Sequence, residues 1–91
     1  MLIIVVDYTV KDAEKLGHYA AAVPQTLQGF DGEVLVRGAI NVLVGELQQE
    51  TRVILRFADK ATALAWYQSD DYQALVELRN QGMDSQFSLV S

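Results

Sequence analysis

The run Leu2-Ile3-Ile4-Val5-Val6 is apolar at every position and β-branched at four of its five. Side chains of a strand alternate between its two faces, so a strand written this way is buried on both. A later strand, Arg52-Val53-Ile54-Leu55-Arg56-Phe57, carries the same pattern. Ile3, Val5 and Ile54 fall on one parity, and Ile4, Val6 and Leu55 on the other, so neither side of the central strands is polar. One layer of helices covers one side only. A chain of 91 residues with 51% hydrophobic content has little else with which to cover the second. A second copy packing sheet to sheet is the economical cover, and a homodimer is the expectation.

The remaining elements follow from caps, breakers and spacing. Asp12 caps a helix expected to reach about Gln28, with Leu16, Ala20, Val23 and Leu27 as its buried stripe. Pro24 lies inside that pattern and predicts a kink or break. Gly29 is placed to end the helix with positive φ, and Asp31-Gly32 to turn. Glu33 to Arg37 alternates as a strand, Gly38-Ala39-Ile40-Asn41 interrupts it, and Val42-Leu43-Val44 resumes. This reads as one long bent edge strand with a bulge near Gly38 and a hairpin loop at Leu47-Gln48-Gln49-Glu50. Asp59 caps a helix over Lys60 to Gln68, and Ser69 starts a second piece to about Asn80, closed by Gly82. Gln86 to Val90 is the last strand. The order β-α-β-β-α-β with right-handed crossovers gives a single α+β domain over residues 1–91. It is a ferredoxin-like sandwich with two helices on one face of a four-stranded antiparallel sheet.

Composition removes several function classes. The formal net charge is −5, with twelve acidic and seven basic residues in no stripe, so nucleic acids and anionic membranes are poor partners. No cysteine is present and His18 is the sole histidine, which leaves no thiolate chemistry and no His pair for a metal. The apolar start is short and lacks a basic flank, so it is a strand and not a signal or a membrane span; a cytoplasmic location is expected. No GxGxxG, Walker, HExxH, nucleophile-elbow or EF-hand pattern occurs, and no cofactor is expected.

Five segments in order carry a family likeness: Val23-Pro24-Gln25-Thr26, Leu35-Val36-Arg37-Gly38, Arg52-Val53-Ile54-Leu55-Arg56-Phe57, Ala65-Trp66-Tyr67-Gln68-Ser69, and Tyr72 with Arg79. Together they resemble the family catalogued as domain of unknown function 1330. The resemblance implies a protomer of the dimeric α/β-barrel superfamily, usually bacterial. That superfamily includes small monooxygenases, lactone isomerases and proteins without known activity. The family has no established catalytic residues to carry over.

Candidate residues each have an ordinary and a functional reading. Trp66 and Tyr67 are adjacent and point at least a quarter turn apart on a helix, so one ring can be core while the other walls a ligand cleft. Tyr72 and Arg79 lie seven apart on one face; the guanidinium either pairs with a carboxylate or binds a ligand oxygen with the Tyr72 hydroxyl beside it. Asp7, Arg37 and Arg56 share the parity of the non-helix face, where they form an ion pair or where Arg37 anchors a ligand carboxylate. His18 lies off the helix stripe, at a rim or in solvent; with Asp7 it is the candidate acid or base of any proton transfer.

Three functions remain open. One is a small-molecule-binding dimer whose sheet–helix cleft is bordered by Arg37, Trp66, Tyr67, Tyr72 and Arg79. The second is a cofactor-independent enzyme of monooxygenase or isomerase type on a small aromatic or carbonyl compound, which needs His18 or Asp7 at the pocket. The third is a purely structural dimerisation domain.

Overall fold

The computed structural model describes residues 1–91. The strands are β1 (Leu2–Val10), β2 (Glu33–Ala39), β3 (Thr51–Phe57) and β4 (Met83–Val90), and the helices are α1 (Ala13–Leu27), α2 (Lys60–Gln68), α3 (Asp70–Gln73) and α4 (Val76–Gly82). The sheet order is β2-β3-β1-β4 and every pairing is antiparallel. This is the ferredoxin-like arrangement, with the doubly apolar strand β1 at the centre.

Register sorts the side chains. Leu2, Ile4 and Val6 of β1 stand opposite Phe57, Leu55 and Val53 of β3. All six are buried beneath the helices with Trp66, Tyr72 and Met83. The helix starts are capped as expected: Asp12 Oδ1 accepts from the Lys15 N–H at 3.1 Å, Asp59 Oδ1 from the Thr62 N–H at 2.8 Å, and Ser69 Oγ from the Tyr72 N–H at 3.2 Å. Ser69 thus ends α2 and begins α3, and a further turn at Ala74-Leu75 divides the segment again before α4. β4 is longer than expected, beginning at Met83.

Several local expectations are corrected. Pro24 does not break α1, which runs continuously to Leu27. The helix does not stop at Gly29; the chain tightens into a 3₁₀ turn over Gln28–Phe30, and Asp31 takes the left-handed conformation at φ 52°. Gly32 is needed for space, because a Cβ there would lie 2.6 Å from Leu27 Cδ2. Val42-Leu43-Val44 is not a strand, and residues 40–50 form one long connection, anchored by Ile40 N–H to Glu50 O and Glu50 N–H to Tyr8 O. The β2 irregularity lies between Val34 and Val36, not near Gly38.

That bulge decides which way Arg37 faces. An extra residue in one strand reverses the parity of everything after it. Glu33 pairs with Arg56 on the open face, but beyond the bulge Arg37 pairs with Val53, whose side chain is in the helix-side core. Arg37 therefore does not join Asp7 and Arg56 on the non-helix face.

The molecule is 35 × 30 × 16 Å, so its short dimension holds only two layers. The second sheet face carries Ile3, Val5 and Ile54, with Val36 50% and Val90 54% exposed. Asp7 on this face makes a bidentate pair with Arg52 (Nε–Oδ1 2.6 Å, Nη2–Oδ2 2.9 Å), and Arg56 pairs with Glu33. Asp7 and Arg56, two of the three charges expected on this face, are thus present and paired, each with a neighbour on the adjoining strand, and Arg37, the third, is not among them. No helix is long and apolar enough to cross a membrane.

Candidate functional site

A cleft opens where α1 lies over the β2 side of the sheet. Its wall is made by Leu16, Tyr19 and Val23 of α1, by Val34 and Val53 from the strands, and by Trp66 at the floor. Thirteen residues line it, twelve of them hydrophobic, and the thirteenth is Arg37. The space open to a water-sized sphere is about 80 Å³. That is smaller than the roughly 300 Å³ of a drug-sized site, so the cleft as it stands suits a compact molecule.

Arg37 differs from the other three arginines. Arg52 is held by Asp7, Arg56 by Glu33, and Arg79 by Tyr67, Tyr72 and Asn80. The hydrogen bond from Arg52 to Asp7 also raises the Arg52 pKa above its ordinary value. Arg37 has no hydrogen-bond or ion-pair partner. A guanidinium carries five N–H donors in a planar fork that matches a carboxylate.

Behind the cleft stands an aromatic cluster. Trp66 and Tyr72 are wholly buried, with ring centroids 4.3 Å apart. Trp66 Nε1 donates to Thr26 Oγ1 at 2.9 Å, and that hydroxyl donates to Val23 O at 2.7 Å, so the indole is satisfied inside the core. The Tyr72 and Tyr19 hydroxyls are 2.8 Å apart. Arg79 Nη1 donates to the hydroxyls of Tyr72 and Tyr67, each at 3.1 Å, and its guanidinium stacks 4.9 Å from the Phe87 ring centroid. Burial works to lower the Arg79 pKa, but these phenol hydrogen bonds outweigh it and leave it raised. Burial raises the pKa of both Tyr19 and Tyr72, holding them neutral.

The anticipated residues therefore divide. Arg37 and Trp66 meet at the cleft. Tyr67 and Arg79 touch one another but border a separate, open depression with Lys11 and Asp84. Tyr72 contacts both groups and lines neither. Its expected neighbourhood with Arg79 holds, although phenols rather than a carboxylate satisfy the guanidinium. His18 is exposed on α1 and borders neither depression, while Asp7 faces the open side of the sheet under the 40–50 connection. No group of three His, Cys, Asp or Glu side chains is placed to hold a metal ion.

Tyr19 is the cleft residue that the α1 stripe understates. It is 7% exposed, three residues from Leu16 and four from Val23, so it stands on the same helix face one position before Ala20. Its i+3/i+4 relation to two apolar positions was the available signal.

The fold and its cleft define a ferredoxin-like α+β protein with helices on one sheet face. Solved structures bear this out. A protein of unknown function from Rhodopseudomonas palustris superposes with a TM-score of 0.81 at 14% identity, over 98% of this chain and 79% of that one. The cofactor-independent oxygenase SnoaB from Streptomyces nogalater matches with a TM-score of 0.69 at 11% identity, over 99% and 90%. A dimeric ferredoxin-like protein of unknown function from Thermobifida fusca matches with 0.65 at 10%, over 99% and 89%. At such identities the likeness is one of fold. The chain belongs to the domain of unknown function family DUF1330, whose model it matches over residues 2–91. No curated protein matches it.

Proposed function

We propose that the protein is a homodimeric binding module for a compact, largely apolar anion held between α1 and the sheet. The observation that carries this reading is Arg37: it is the one charged group lining a largely apolar cleft, and the one arginine without a partner. An apolar wall supplies affinity by burial, and a single forked cation fixes orientation and selects a carboxylate.

The fold likeness to a cofactor-independent oxygenase supports the enzymatic alternative only as analogy. Proton transfer requires a titrating group within hydrogen-bond reach of the substrate. The two groups considered for that role, His18 and Asp7, border other surfaces, and Asp7 is tied to Arg52. Binding is therefore the preferred reading.

Titration of pentanoate and of its neutral amide, followed by NMR shifts of the cleft residues, tests it. Pentanoate is expected to perturb Val23, Val34 and Val53 and to bind more tightly than the amide. Arg37→Ala is expected to weaken pentanoate by about tenfold, the worth of a charge-assisted hydrogen bond, without lowering stability, because no ion pair is broken. A loss of stability with unchanged affinity would mean that Arg37 serves the fold and not a ligand.

A further inference from the structure

The proton count of the buried phenol pair points to a second recognition group in the cleft. Arg79 is a pure donor, and one of its Nη1 hydrogens is directed at the Tyr72 oxygen 3.1 Å away. The Tyr72 hydroxyl hydrogen must then find a different acceptor. Tyr72 is wholly buried and lines neither depression, and the only acceptor in hydrogen-bond reach of its hydroxyl is the Tyr19 oxygen at 2.8 Å. A buried hydroxyl hydrogen without an acceptor carries the full desolvation penalty of that group, so Tyr72 donates and Tyr19 accepts. The opposite orientation would strand the hydrogen of the residue that has no other outlet.

Tyr19 is then left with its own hydrogen and no protein acceptor for it. Unlike Tyr72, Tyr19 lines the cleft. We infer that Tyr19 presents its hydroxyl hydrogen to the cleft as a donor, and that the molecule bound there carries a carbonyl-type acceptor oxygen as well as the negative charge that Arg37 takes. The chemical class is a short oxo acid. This inference rests on the cleft reading above and deepens it by naming what the ligand must contain.

Short probes of one chain length test it: 2-oxopentanoate and 4-oxopentanoate, which place the ketone near to and far from the carboxylate, against pentanoate. Wild-type protein is expected to prefer at least one oxo acid over pentanoate by about tenfold, the worth of one hydrogen bond. Tyr19→Phe should abolish the preference. Tyr72→Phe should keep it to within about threefold, since Tyr19 still has its hydrogen to give. Equal binding of all three acids by the wild type overturns the Tyr19 assignment and leaves the anion cleft standing. Binding of none overturns both. Should Tyr19→Phe fail to fold, neutron diffraction of the wild-type protein decides independently of any ligand. A hydrogen on Tyr72 pointing at the Tyr19 oxygen supports the assignment, and a hydrogen on Tyr19 pointing at Tyr72 refutes it.

Discussion

Two neutral, largely buried phenols beside one another couple folding to alkaline pH. Burial is the largest influence on Tyr19 and on Tyr72, and it raises both above the ordinary tyrosine value. An unfolded tyrosine ionises near pH ~10, while these two hold their protons beyond it. Above that pH the unfolded chain has released protons that the folded chain retains, so stability falls as pH rises. The contribution is complete below about pH 10 and drains away upward through the folded values. Wild-type protein is therefore expected to lose stability steeply between about pH 10 and 12, and the Tyr19→Phe/Tyr72→Phe double variant less steeply. Urea midpoints measured across that range check this, and parallel curves would reject it. The double variant is the appropriate comparison because it removes both titrating phenols at once; the Arg79 hydrogen bond to Tyr72 goes with them, a loss that does not vary across this pH range.

At the scale of elements, two glycines of the helical layer have opposite roles. Gly82 ends α4 where that helix meets the start of α1: a Cβ there would lie 2.7 Å from Leu16 N and 2.8 Å from its Cα, both backbone atoms. The Gly82 carbonyl also accepts from the Lys11 and Asp12 N–H groups at 2.9 and 3.1 Å, so the junction has little room to move apart. Gly17 sits within α1 with open space around its missing Cβ. Gly82→Ala is expected to destabilise by about 1–3 kcal/mol through overpacking. Gly17→Ala is expected to stabilise by about 0.5–1 kcal/mol through reduced chain entropy. Urea denaturation of the pair measures both, and a neutral Gly82→Ala would mean that the junction yields. Legibility at this scale follows the same division between local and non-local causes. The caps at Asp12, Asp59 and Ser69, and the doubly apolar β1, were readable because each works through a few adjacent residues. The bulge was not, since Val34-Leu35-Val36 is apolar at all three positions and offers no parity to show where a residue is inserted. Strand parity in the sequence therefore puts Arg37 on the open face, while the bulge turns it to the cleft, where the site reading also expects it. Val42-Leu43-Val44 has a strand's composition but no neighbouring strand to bond with, and propensity without pairing produces no strand. Tyr19 was obscured because the hydroxyl partner that gives it meaning lies 53 residues away.

At the scale of the whole molecule, one half of the sheet's apolar surface is still without a cover. The face that carries Ile3, Val5, Ile54, Val36 and Val90 spans the two long dimensions, 35 and 30 Å, against the ~800 Å² per partner of an ordinary stable interface. The 40–50 connection borders the same face and leaves Leu43 100% and Val44 92% exposed. The ion pairs Asp7–Arg52 and Arg56–Glu33 are also on this side, already satisfied within one chain, so a second copy can approach without leaving a charge unpaired. Static light scattering at micromolar concentration is expected to return twice the 10.1 kDa chain mass. Val5→Lys, which places a charge on the open face of the central strand, should shift the particle toward 10.1 kDa. The helix-side core is untouched by that change, and Trp66 is wholly buried within one chain, so its emission should not move when the subunits part. A red shift of Trp66 accompanying the mass change would indicate unfolding instead of dissociation. A wild-type particle of 10.1 kDa would mean that this face meets water, and the homodimer would have to be abandoned.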